Sequence, residues 1–200
     1  MPRKARKILI APQAMYHIVC RGVHQCCIFW NKRDNRKYLE ILSEAKKKND
    51  FFLYSYNLLP NHLHLLIETK NIPISKIMHY INTLYAIYFN KRWKRVGHLF
   101  QDRFYGSLVD KESYFWAVSA YIDLNAVRAG LVEKPEDYPW SSYQFYAKKD
   151  YSGGLIDRER FIRYGGDGPI EKLRQDYLNF VKEEAKSPKK PKFIKTDKFI

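Results

Sequence analysis

The sequence predicts a mixed α+β fold, a four-stranded antiparallel sheet with helices packed on one face. Three observations predict it. Runs rich in β-branched, aromatic and alternating apolar residues flank the turn Leu59-Pro60-Asn61 and read as a hairpin. Two long stretches repeat apolar residues at helical spacing. A chain of 200 residues, 46% of them hydrophobic, suffices for one good core with or without a small extension.

In chain order, Gln13 to Arg21 mixes β-branched and aromatic residues and ends at Gly22, a first strand. Asp34 to Lys48 places Tyr38, Leu39, Ile41, Leu42 and Ala45 on one face, with Lys46, Lys47 and Lys48 at the negative end of the helix dipole. Phe51 to Leu58 and His62 to Thr69 form the hairpin. Ile74 to Trp93 reads as a long helix through Ile77, Ile81, Leu84, Ile87 and Tyr88, and Phe104 to Val109 as a fourth strand. Asp110 suits the N-cap of a last helix of about five turns, with Glu112 in its first turn and Gly130 past its end. Tyr114, Val118, Tyr121, Ile122 and Asn125 share one side of it. The order βαββαβα is that of a ferredoxin-like sandwich.

Beyond Tyr151 the signals weaken. Gly153-Gly154 and Gly165-Gly166 mark loops, Ile170 to Glu184 suits one more helix, and residues 186–200 carry six lysines and two prolines, a composition expected to be disordered. The expected organisation is a basic arm at 1–12, a folded domain at 13–147, a C-terminal extension at 148–185 and a Lys-rich tail at 186–200.

Lysine and arginine number 36 against 21 aspartate and glutamate, a formal charge of +15. Such a chain seeks a polyanion, and nucleic acid leads. A membrane surface is the rival, but no basic amphipathic helix or lipidation signal supports it. No apolar run is long enough to span a bilayer or form a signal-peptide core, so a cytoplasmic protein is expected. Cys20, Cys26 and Cys27 lack the spacing of a disulfide framework, and His17, Cys20, His24 and Cys26 match no familiar zinc module.

The chemistry concentrates at His62-Leu63-His64. Residues i and i+2 of a strand stand side by side, roughly 7 Å apart, and can converge on one ion. Two hydrogen-bonded histidines in a half-buried strand are the alternative. Downstream lies Tyr121-Ile122-Asp123-Leu124-Asn125, with tyrosine and asparagine one helical turn apart. Tyrosine is a weak nucleophile, but a metal that polarises a target phosphate makes its attack feasible.

With these residues the chain resembles the single-tyrosine HUH transposases, in particular the REP-associated tyrosine transposases, which cut and join single-stranded DNA. The resemblance is carried by Tyr16-His17-Ile18-Val19-Cys20-Arg21-Gly22, by Leu59 to Ile67, by Gly97-His98-Leu99-Phe100-Gln101-Asp102-Arg103-Phe104, by Tyr121 to Val132, and by Tyr138-Pro139-Trp140-Ser141-Ser142-Tyr143. It implies His62 and His64 as metal ligands, Tyr121 as nucleophile, and Asn125 as the polar ligand one turn on. It also implies a divalent ion, Mg or Mn, a 5′-phosphotyrosine intermediate with a free 3′-OH, and a single-stranded or hairpin DNA partner. Relatives act as homodimers or monomers, and both states stay open here. The chain departs from the family with Ala126 where proline is frequent and Asp123 where histidine is frequent; Asp123 is expected on an exposed side.

For gripping a strand, Lys91, Arg92, Trp93, Lys94 and Arg95 offer four cations around one indole, and Arg103 beside Phe104 is a further candidate. Two other readings stand at this level. One is a nucleic-acid-binding protein that keeps the fold without cutting, the other a metal-dependent hydrolase that activates water and uses Tyr121 for packing.

Overall fold

The computed structural model describes residues 13–109, 114–149 and 154–186. The basic arm, Asp110 and Glu112 at the start of the last expected helix, and the tail after Lys186 lie outside the described residues. The elements are β1 (Met15–Arg21), α1 (Lys32–Asn49), β2 (Phe52–Leu59), β3 (His62–Glu68), α2 (Ile74–Trp93), β4 (Tyr105–Val109), α3 (Phe115–Asp123), α4 (Asn125–Arg128), α5 (Tyr143–Ala147), α6 (Arg158–Arg163) and α7 (Ile170–Lys186). The four strands form one antiparallel sheet in the order β2-β3-β1-β4, so the expected α+β class holds.

Register decides which side chains share a face. Val19 opposes His64, Arg21 opposes His62, His17 opposes Leu66, and Asn57 opposes His64 from the other side; paired residues of antiparallel strands point the same way. The opposite face carries Cys20, which meets the Asn82 amide of α2 at 3.3 Å. Here α1 and α2 lie side by side through Tyr38 and Tyr85, ring centroids 5.0 Å apart. Helices are not confined to that face. The histidine face is covered by α3, where Ser119 hydrogen-bonds Ser55 and the Ile122 carbonyl accepts from the Asn57 amide at 2.8 Å.

The last expected helix breaks in two at Leu124. Ile87, expected on the apolar face of α2, is 59% exposed. The helix starts earlier than expected at α1, because Asn31 caps it: its side chain accepts from the Arg33 and Asp34 amides, while the Asp34 carboxylate reaches back to the amide of Asn31. Asp34, fully buried, also accepts from Tyr88 and Trp93 and pairs with Arg92, tying the start of α1 to the end of α2.

The chain after 137 closes the outer edge of β2, an edge that would otherwise invite another strand. Tyr138 donates to the Leu58 carbonyl at 2.7 Å, the Leu58 amide donates to Trp140, Ser142 bonds both backbone groups of Tyr56, and Asp157 bonds both backbone groups of Leu53. Behind this edge Phe161 and Tyr177 are fully buried in the same apolar cluster as the sheet.

Gly22, which follows β1, is a close-approach glycine. A Cβ there would lie 2.2 Å from the Cys26 carbonyl oxygen and 2.9 Å from Ile28. Gly22→Ala is expected to lower stability by about 1–3 kcal/mol, read as a fall in melting temperature, because the 22–28 loop that lies on the Pro60 turn must move outward. Its amides from Gly22 and Ile28 bond the carbonyls of Asn61 and Pro60 at 2.9 and 2.7 Å.

Candidate active site

Three imidazoles and one phenol meet where β1, β3 and α3 pack. His62 and His64 open β3, and His17 comes from the neighbouring β1. His17 and His64 are 1% and 3% exposed, and their Nε2 and Nδ1 atoms are 2.9 Å apart in a hydrogen bond. The His62 Nδ1 bonds the Asn61 side-chain oxygen at 2.7 Å, and its ring stands edge-on to His64 at 5.1 Å. The Tyr121 ring, brought over the sheet by α3, is edge-on to both His64 at 5.8 Å and His17 at 6.0 Å.

Burial in this apolar layer disfavours the charged form of every imidazole. It lowers His17 and His62 to about 4 and His64 well below the usual histidine range, with the neighbouring Arg21 charge adding to the effect at His62 and His64. Neutral imidazoles are what a cation requires. His64 Nε2 is moreover buried with no hydrogen-bond partner among the described residues. A buried polar atom of this kind costs about 1–3 kcal/mol unless something meets it, and a cation at Nε2 would do so. No group of three His, Cys, Asp or Glu side chains among the described residues could hold a metal ion, so a cation at His62 and His64 would need oxygen ligands of other kinds. Asn125 offers one: its amide nitrogen donates to the Tyr121 carbonyl at 2.8 Å, which leaves the amide oxygen as the atom able to meet a cation. The residues present therefore fit a divalent ion. His17 and Cys20, on opposite faces of β1, do not converge.

A family model described as "Transposase IS200 like" matches residues 11–125, a span that contains both histidines, the tyrosine and Asn125. The chain belongs to the IS200-like transposase family. One similar solved structure is titled "Structure of the REP associates tyrosine transposase bound to a REP hairpin"; the identity is 17%, the match covers 78% of this chain and 94% of that one, and the TM-score is 0.60. At that identity the likeness is one of fold. No curated protein matches the chain.

In this IS200-like transposase the residues read from sequence fall into three groups. His62, His64 and Tyr121 come together, with Asn125 bonded to the tyrosine's own carbonyl. Lys91, Lys94 and Arg103 are exposed. Arg92 and Trp93 are engaged by the buried Asp34, and Arg95 turns back, because Lys94 ends α2 in the left-handed region at φ 50°. The Arg95 guanidinium then lies 5.7 Å from the Phe89 ring and 6.0 Å from Trp30.

Tyr114, expected on the same helix side as Tyr121, stands at the N-cap of α3 and is 47% exposed. Asp123 corrects an expectation. It is fully buried, accepts from Tyr177 at 2.7 Å and Ser142 at 3.2 Å, and is raised to about 7 by loss of solvent. The cause lies far along the chain, since α7 and the Ser141-Ser142 turn roof this side of α3.

Three functional candidates escaped the sequence reading. Arg128, one helical turn past Leu124, places its guanidinium 5.3 Å from the Tyr121 ring; the i, i+7 spacing was a signal. Trp30 is 49% exposed and packs on Trp93 at 4.6 Å between ring centroids. His17 was weighed from the sequence only in a zinc set with Cys20, His24 and Cys26, and not beside His64.

No helix among the described residues is long and apolar enough to cross a membrane.

Proposed function

We propose that this chain is a metal-assisted single-stranded DNA endonuclease and strand transferase. The observation that carries the reading is Tyr121 standing edge-on to His64, whose buried Nε2 awaits a partner. His62, His64 and Asn125 would hold Mg or Mn, which when bound neutralises and polarises the scissile phosphate. Tyr121 Oη attacks phosphorus, the bond to the 3′ oxygen breaks, and the phenolic proton is balanced by the proton gained on the leaving 3′-OH. A 5′-phosphotyrosine remains, and attack by a different 3′-OH reverses the step and joins new strands without ATP. The Arg128 guanidinium supplies positive charge on the ring face as the phenol loses its proton.

The DNA partner is a single strand or hairpin, a reading supported by the net charge of +15 and by the REP hairpin in the similar structure. The test incubates the purified protein with labelled hairpins from its own genomic flank, with manganese or with EDTA. A denaturant-resistant adduct that requires metal is expected. Tight binding with no adduct on any flanking strand would overturn the reading.

Trp30 and Arg95 form the stacking platform of this grip, flanked by exposed Lys91 and Lys94. Aromatic stacking on an unpaired base is worth about 1–3 kcal/mol, so Trp30→Ala should weaken single-strand affinity by about 5- to 150-fold and leave the salt slope unchanged. Lys94→Ala should instead lower that slope by about 0.7. Fluorescence anisotropy across a salt series reads both.

A further inference from the structure

Building on the proposed cation site, we propose that His17 is a positioning residue that fixes the tautomer of His64, accepting the His64 Nδ1–H at its own Nε2 so that His64 Nε2 presents a lone pair. The geometry leaves two arrangements for the 2.9 Å contact between them. If His17 donates, the single proton of neutral His64 sits on Nε2, where it meets no partner and blocks a cation. If His64 donates, Nε2 is free and the His17 proton lies on Nδ1. Only the second makes the orphaned atom useful.

Position supports a role through His64 rather than beside it. His17 Nε2 is already spent on His64, and no group of three His, Cys, Asp or Glu side chains among the described residues could hold a metal ion, so His17 stays outside the coordinating set. The two rings are nearly parallel, 9° apart with centroids at 5.2 Å, and both are walled by the Tyr121 edge. Because β1 and β3 are hydrogen-bonded neighbours, His17 is held by the sheet. A partner on the far nitrogen of a ligating histidine fixes ring orientation, and its loss typically costs 10–100-fold in metal affinity.

Two measurements test this on the full-length protein without DNA. In a long-range proton–nitrogen NMR spectrum of histidine-labelled protein, the His64 proton is expected on Nδ1; a proton on Nε2 overturns the assignment with no mutation needed. In calorimetric titration with manganese alone, His17→Ala is expected to raise Kd by about 10–100-fold. His17→Gln, whose amide oxygen can accept the same proton, should recover most of the loss. Wild-type affinity in His17→Ala, or a loss as deep as that of His64→Ala with no rescue by glutamine, would overturn the proposal. Failure of the wild-type protein to bind manganese would overturn the cation site itself, a separate result from a wild type that binds and a His17 variant that binds equally well.

Discussion

Tyr121→Phe is expected to abolish the covalent protein–DNA adduct while leaving the fold and single-strand affinity intact. The substitution removes one oxygen and keeps the ring, which stands edge-on to His17 at 6.0 Å and His64 at 5.8 Å, with Arg128 over its face at 5.3 Å. Those ring contacts survive in phenylalanine, so the variant should still fold, read as a cooperative melting transition. The strand-cleavage rate should fall on the order of 10⁴- to 10⁶-fold, the scale on which removing a covalent nucleophile acts in other enzymes. Gel shift measures binding and denaturing electrophoresis the adduct, and Tyr114→Phe is the control, since Tyr114 is half exposed at the start of α3. An adduct that persists in Tyr121→Phe and vanishes in Tyr114→Phe would reassign the nucleophile. Metal-dependent cutting at an unreduced rate with no adduct would make water the nucleophile.

What the sequence revealed about the site, and what it hid, follows the distance over which each feature is determined. His62 and His64 are two residues apart on a strand whose hairpin turn is spelled out by Leu59-Pro60-Asn61, so local periodicity alone brings them together. The Tyr121 to Asn125 relation is likewise one helical turn. His17 reaches His64 only through strand pairing across 47 residues, and no local pattern encodes register. Asp123 was misread for the same reason: two positions from Tyr121 a helical side chain leaves the site, but whether it meets solvent depends on α7, more than fifty residues later. The basic run from Lys91 to Arg95 looked like one surface. The left-handed Lys94 and the buried Asp34, recruited from α1, divide it into exposed lysines, a structural Arg92–Trp93 pair and an arginine stacked toward Trp30.

The same long-range roof makes Tyr177 the most consequential residue outside the reacting set. It is fully buried on α7, and its hydroxyl contacts Asp123 at 2.7 Å and Ser119 at 2.8 Å, while Ser119 in turn hydrogen-bonds Ser55 of β2. The ring also packs against Trp116, Tyr146 and Phe161 at 5.0–5.5 Å. Tyr177→Ala is therefore expected to cost about 3–5 kcal/mol of stability, the range for emptying a large aromatic site, measured by chemical denaturation. Tyr177→Phe isolates the hydroxyl: the ring stays, two buried polar groups lose a partner, and about 1–3 kcal/mol should be lost. Asp123 and Ser119 flank Tyr121 on α3, so loosening them frees the helix that aims the phenol. Tyr177→Phe should thus slow adduct formation at temperatures well below its melting point, with single-strand affinity unchanged because the platform around Trp30 rests on α1 and α2. If adduct formation keeps its wild-type rate while stability falls, α7 supports the core and has no part in aiming Tyr121.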